Sequence, residues 1–128
     1  MGRDDRASAG DPSTSLGMTR GIELFNSHEF WLAHEAWEEL WLAAEGERKQ
    51  FLQGLIQLAA AYVHVRRGTS PKGSVRLFDA ALRRLEPFPE GYEHVIRTSA
   101  CATAREHRER VVNGQRIEPD EYPKLGYN

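Results

Sequence analysis

Fifteen consecutive residues, Phe51 to Val65, contain no charged side chain. With two glutamines and a histidine among them, they are too short and too polar for a bilayer span, so they predict a helix buried on most sides by other protein. On a helical wheel from about Arg48 to Arg67, Phe51, Leu52, Leu55, Ile56, Leu58, Ala59, Tyr62 and Val63 cover most of the circumference. The remaining strip is Gln53, Gln57, Ala60 and His64, whose uncharged polarity predicts an internal seam rather than a solvated face. Gly54, Ala60 and Ala61 leave room for a second helix to come close.

A central helix of this kind needs neighbours to cover it. Helical periodicity predicts a short helix over 19–26, a second over 28–44, a fourth from Pro71 to Glu86 and a fifth over 90–112. Asn26-Ser27, Gly46, Gly68 and Pro87 mark the breaks. Strand signals are absent. The expectation is an all-α, single-domain antiparallel bundle of about five helices with a helical-hairpin, tetratricopeptide-like flavour. Two partly similar hairpins fall short of the three repeats a solenoid needs. Residues 1–18 read as a disordered extension, 19–112 as the bundle and 113–128 as an extended arm that folds back through Ile117, Tyr122, Leu125 and Tyr127. Met18, just ahead of the first apolar period, is an alternative initiator to Met1.

A chain of 128 residues has room for one core. Its formal charge of −2 gives no general case for nucleic acid or a membrane surface as partner. The single cysteine, Cys101, excludes an internal disulfide, reads as a structural thiol and fits a reducing cytoplasm. Six basic residues lie between Arg66 and Arg84, against one aspartate. No aromatic or glycine-rich cradle accompanies them in sequence, so they read as surface charge, and no nucleotide cofactor is expected. In the fifth helix, Arg105/Glu109 and Glu106/Arg110 read as pairs on a solvated face.

The chemistry concentrates in Phe25 to Trp41, which holds all three tryptophans and four glutamates. His34 and Glu38 stand four apart and Trp41 three further on, so one helix face carries all three. Two ligand-type side chains at that spacing suit a divalent metal ion. His64 is the expected third ligand from the central helix, with Trp41, Trp37, Gln57 and Gln53 behind the ligands as hydrogen-bonding support. Glu38 and Glu35 are the candidate catalytic bases beside a metal-bound water. The string His34-Glu35-x-x-Glu38 resembles a zinc-protease helix, but glutamate at position 38 and the lack of a completing motif exclude that class. Without a ligand, the same side chains would form a buried network that only fixes helix packing, at about 3 to 5 kcal/mol when one partner is removed. Trp31 and Leu42, on the outer side, are the surface on which a homodimer or another protein partner would dock.

The runs G-I-E-L-F-N-S-H-E-F-W-L-A-H-E-A-W-E-E-L-W and F-L-Q-G-L-I-Q-L-A-A-A-Y-V-H-V-R-R-G resemble the bacterial and archaeal family called domain of unknown function 309, marked by an HxxxExxW motif, here His34, Glu38 and Trp41. The resemblance covers about Gly21 to Leu85 and fades beyond; Thr69 and Ser74 stand where Asn and Ala would be expected. It implies an all-α bundle and a motif expected to bind metal, with no activity to carry over.

Overall fold

The computed structural model describes residues 12–128, with side chains from residue 16 onward. Five helices, α1 (Pro12–Asn26), α2 (Phe30–Ala43), α3 (Gly46–Arg67), α4 (Pro71–Leu85) and α5 (Thr98–Val112), pack successively on one another, the first four joined by short turns and α5 by a longer connection. The class is all-α. Two two-residue strands, β1 (Val95–Ile96) and β2 (Gly126–Tyr127), pair antiparallel and were not legible at that length.

Helix α3 is the axis of the fold. Phe51, Leu52, Leu55, Leu58, Ala59, Ala61 and Tyr62 are fully buried. Each large one of these contributes roughly 1.5–3 kcal/mol through removal of apolar surface from water. Gly54 is where α4 approaches: a Cβ there would lie 2.8 Å from the Leu85 side chain and 3.2 Å from Arg84 Cβ. Gly68 ends α3 in the left-handed conformation, φ 69°, which a side chain would strain.

Helix α1 begins at Pro12, seven residues before the expected start at Thr19. The reason lies in Met18, Ile22 and Phe25, all buried, which extend the apolar stripe backward past a polar stretch that obscures it. Residues 12–18 therefore belong to the helix, and the expected disorder of residues 1–11 lies outside the described residues. Close contact of α1 with α2 depends on Gly21, where a Cβ would sit 2.1 Å from Trp37 Nε1. Helix α2 starts at Phe30 rather than His28, because His28 adopts φ 66° and turns the chain.

The fifth helix is shorter than its periodicity suggests. Gly91, Glu93 and His94 all have positive φ, so Glu90–Ile96 forms a compact turn and β1 instead of helix. Buried Arg97 holds that turn by donating to the carbonyls of Leu85 (2.5 Å), Pro89 (3.2 Å) and Phe88. A guanidinium thus caps the last carbonyl of α4 and ties it to two carbonyls of the turn that follows. The charged run of α5 is not simply solvated. Arg108 pairs with Asp79 of α4 at 2.7 Å and with its neighbour Glu109, while Arg110 pairs with Glu121 of the tail. His107, inside the same run, is buried against Tyr62.

The tail folds back, with Ile117, Tyr122 and Leu125 buried. Asn26, the last residue of α1, clamps it: Asn26 Nδ2 donates to the Leu125 carbonyl at 2.7 Å, and Leu125 N–H donates to Asn26 Oδ1 at 2.8 Å.

Candidate functional site

Helices α2, α3 and α4 border a cleft of about 330 Å³ lined by His34, Glu38, Trp41, Gln53, Ile56, Gln57, Ala60 and Leu77. The motif triplet lies beside the buried stripe of Phe30, Ala33 and Trp37 on α2, at the edge of the core where the helix borders the opening. Helix α3 supplies the carboxamides from its uncharged strip. That strip is a cleft wall, not a sealed seam: Gln53, Gln57 and Ala60 keep partial exposure.

The donor atoms are not equivalent. Glu38 is solvent-exposed and reaches the cleft from its rim, so the triplet is not the buried network considered above. His34 is half-buried, with the Trp31 ring stacked on its imidazole at 4.9 Å and 10°. Its Nδ1 is shielded from solvent and has no hydrogen-bond partner among the described residues, and the same holds for Gln57 Oε1. Two orphaned polar atoms on side chains of one cleft are unusual, since leaving such a group unmade costs about 1–3 kcal/mol. Trp41, half-buried, carries the Lys49 ammonium 4.2 Å above its ring. The cation thereby sits on the indole face beside an otherwise acidic helix.

Three sequence expectations are placed elsewhere. His64 lines a separate cleft at the C-terminal end of α3, where its Nδ1 shares a 2.8 Å hydrogen bond with Thr69 Oγ1. His64 lies four residues past Ala60, and that one further turn along the same strip carries it into different surroundings. Trp37 does not support the cleft; it is fully buried against α1, its Nε1 directed at the Met18 carbonyl at 3.5 Å. Glu35 is exposed and does not line the cleft, which leaves Glu38 as the carboxylate at the site. Among the described residues, no group of three His, Cys, Asp or Glu side chains is gathered closely enough to hold a metal.

Sequence reasoning missed the polar groups that tie the fold together. Tyr62 and His107 share a buried hydrogen bond of 2.8 Å between α3 and α5. Burial pushes the Tyr62 phenol up and the His107 imidazole down from their ordinary values, so both are held neutral. The signal available was a histidine inside a run of otherwise full charges. Cys101 is buried and its thiol is likewise pushed up by desolvation, which suits a structural role.

The architecture and the cleft define a class: an all-α helical-hairpin bundle with a polar cleft formed around its second and third helices. Residues 18–77 match the family model described as Domain of unknown function (DUF309). Every residue lining the cleft falls inside the matched span, up to Leu77 at its end. No curated protein matches the chain. No helix among the described residues is long and apolar enough to cross a membrane.

Proposed function

We propose that the α2–α3–α4 cleft binds a divalent cation through His34 and Glu38 of one helix and the Gln57 carboxamide oxygen of the next. The observation that supports this is the coincidence of two orphaned, shielded electron-pair donors, His34 Nδ1 and Gln57 Oε1, on side chains that line a cleft with a carboxylate at its rim. Imidazole nitrogen, carboxylate and amide oxygen are all ligand types for divalent ions. With two strong protein donors and one weaker, the fitting ion is one that keeps several waters, and affinity is expected to be modest. A bound ion would supply a more acidic water, and Glu38 would hydrogen-bond that water only where the carboxylate binds the ion through a single oxygen.

Metal content after mild purification, and titration with manganese(II) and zinc(II), test the proposal. Wild type should bind one ion; His34→Ala and Glu38→Gln should lose it while keeping their melting temperature, because neither removes a core contact. No stoichiometric ion in wild type, or equal content in His34→Ala, overturns the reading. A second reading, a surface for a protein partner or a second copy, is favoured by the outer side of α2, where Leu42 is 71% and Trp31 49% exposed. Association that depends on Trp31 and survives Glu38→Gln would select it.

A further inference from the structure

A second cleft, larger than the motif cleft, lies elsewhere among the described residues. It holds about 460 Å³ between the end of α3, the first turn of α4 and the returning tail, a size ordinary for a small-molecule site. Arg66 and Arg67 from α3 and Arg116 from the tail line it, and no carboxylate does among the described residues. In a chain of net charge −2, three guanidinium groups around an acid-free concavity are a local inversion of the overall balance.

The three arginines are differently occupied. Arg66 is committed by donation to the His28 carbonyl, and Arg116 pairs with Glu118 at 2.9 Å while 83% exposed, an exchangeable surface contact. The Arg67 guanidinium has neither hydrogen bond nor ion pair with the described residues. Val111, Ile117 and Tyr122 give the lining an apolar and aromatic wall, beside the uncharged or imidazole side chains of His64, Thr69, Ser74 and Gln115. Pro71 and Ser74 bring the positive end of the α4 dipole to one side. The sequence argued against an anion site because nothing aromatic accompanied the arginines. The fold supplies that partner from far along the chain, in Tyr122.

We infer that this cleft binds a small phosphorylated molecule, its phosphate held by Arg67 and Arg116 and its ring or hydrocarbon portion against Tyr122, Val111 and Ile117. Planar guanidinium forks match phosphate oxygens two at a time, and the apolar wall rewards a ligand larger than the bare ion. The site is separate from the motif cleft, and its binding does not depend on a metal there.

The test is calorimetric titration of the full chain at low salt with adenosine monophosphate, adenosine and inorganic phosphate as probes. The expected result is one saturable site for the monophosphate, weakened about tenfold or more by Arg67→Ala or Arg116→Ala, as loss of a charge-assisted hydrogen bond requires. Inorganic phosphate should compete with it, and adenosine should bind far more weakly. Arg83→Ala, on the outer side of α4, should leave the affinity unchanged. All of these arginines are exposed, and unchanged melting temperatures will show that the variants fold. Absence of saturable binding, equal binding of adenosine, or equal weakening by Arg83→Ala overturns the inference.

Discussion

Replacing Gly21 by alanine tests the contact on which the placement of α2, and with it the motif cleft, depends. The added Cβ would lie 2.1 Å from Trp37 Nε1, 2.4 Å from Cε2 and 2.5 Å from Cδ1, all atoms of one rigid ring. Trp37 is 0% exposed, so the indole cannot swing aside into solvent. Forcing a methyl into such a site costs typically 1–3 kcal/mol, and the overlap here puts the cost near about 3. Alanine returns about 1 kcal/mol because it favours helix over glycine. The net expectation is a loss of about 2 kcal/mol, or roughly 6–10 °C in melting temperature for a domain of this size. Gly17→Ala is the matched control one turn earlier: its Cβ would meet the branched end of half-buried Leu40 at 2.8 Å, which can rotate away. That variant should be neutral or slightly more stable. Thermal denaturation followed by circular dichroism compares the three proteins, and equal melting temperatures for Gly21→Ala and Gly17→Ala would refute the close-packing account.

Other perturbations separate the remaining contacts. Arg97→Met leaves the Leu85, Phe88 and Pro89 carbonyls without their shared donor and should destabilise by about 3 kcal/mol, read from urea midpoints. Asn26→Ala removes both bonds to Leu125; hydrogen exchange should rise first in the tail, with about 1–2 kcal/mol lost overall. Stability should fall with acidification in two stages. Burial keeps the His107 pKa below its unfolded 6.5, so the unfolded chain takes up a proton first and stability drops as pH falls through and below that value. The second stage lies below about pH 4.5. There Glu121, pulled down to about 2 by its hydrogen bond from Arg110, and Asp79 and Glu90, also lowered, lose contributions that are complete above the unfolded carboxylate range. Melting temperature against pH for His107→Gln should lack the upper stage only; a persisting loss between pH 7 and 5.5 would assign it to another group.

What the sequence made legible follows from where local pattern and tertiary demand agree. Helices α2 to α4 were readable because apolar residues recur at the helical period over long spans and Gly68 and Pro71 sit at the break. The start of α1 was hidden because residues 12–17 carry one large apolar side chain, Leu16, and that one is exposed. The spacing of Tyr92, Val95 and Ile96 imitates a helix, but a turn anchored by Arg97 and a strand partner thirty residues downstream override it. At the site, His34, Glu38 and Trp41 could be placed on one face from spacing alone. Whether Trp37 looked at the cleft or at α1 was decided by Gly21, and the fate of His64 by Thr69 and the α4 turn; neither relation is local in sequence.

The clamp between Asn26 and Leu125 joins positions 99 apart with two backbone-to-side-chain bonds. It makes the segment between them a non-covalent ring, held shut also by the burial of Ile117, Tyr122 and Leu125 and by the Arg110–Glu121 pair. The two clefts stand differently toward opening of that ring. The motif cleft is walled by three helices and keeps its shape whether the ring is shut or not. The arginine cleft loses Arg116, Ile117 and Tyr122 when the tail lifts, so its affinity is coupled to ring closure, and a ligand seated there would act as the third fastener.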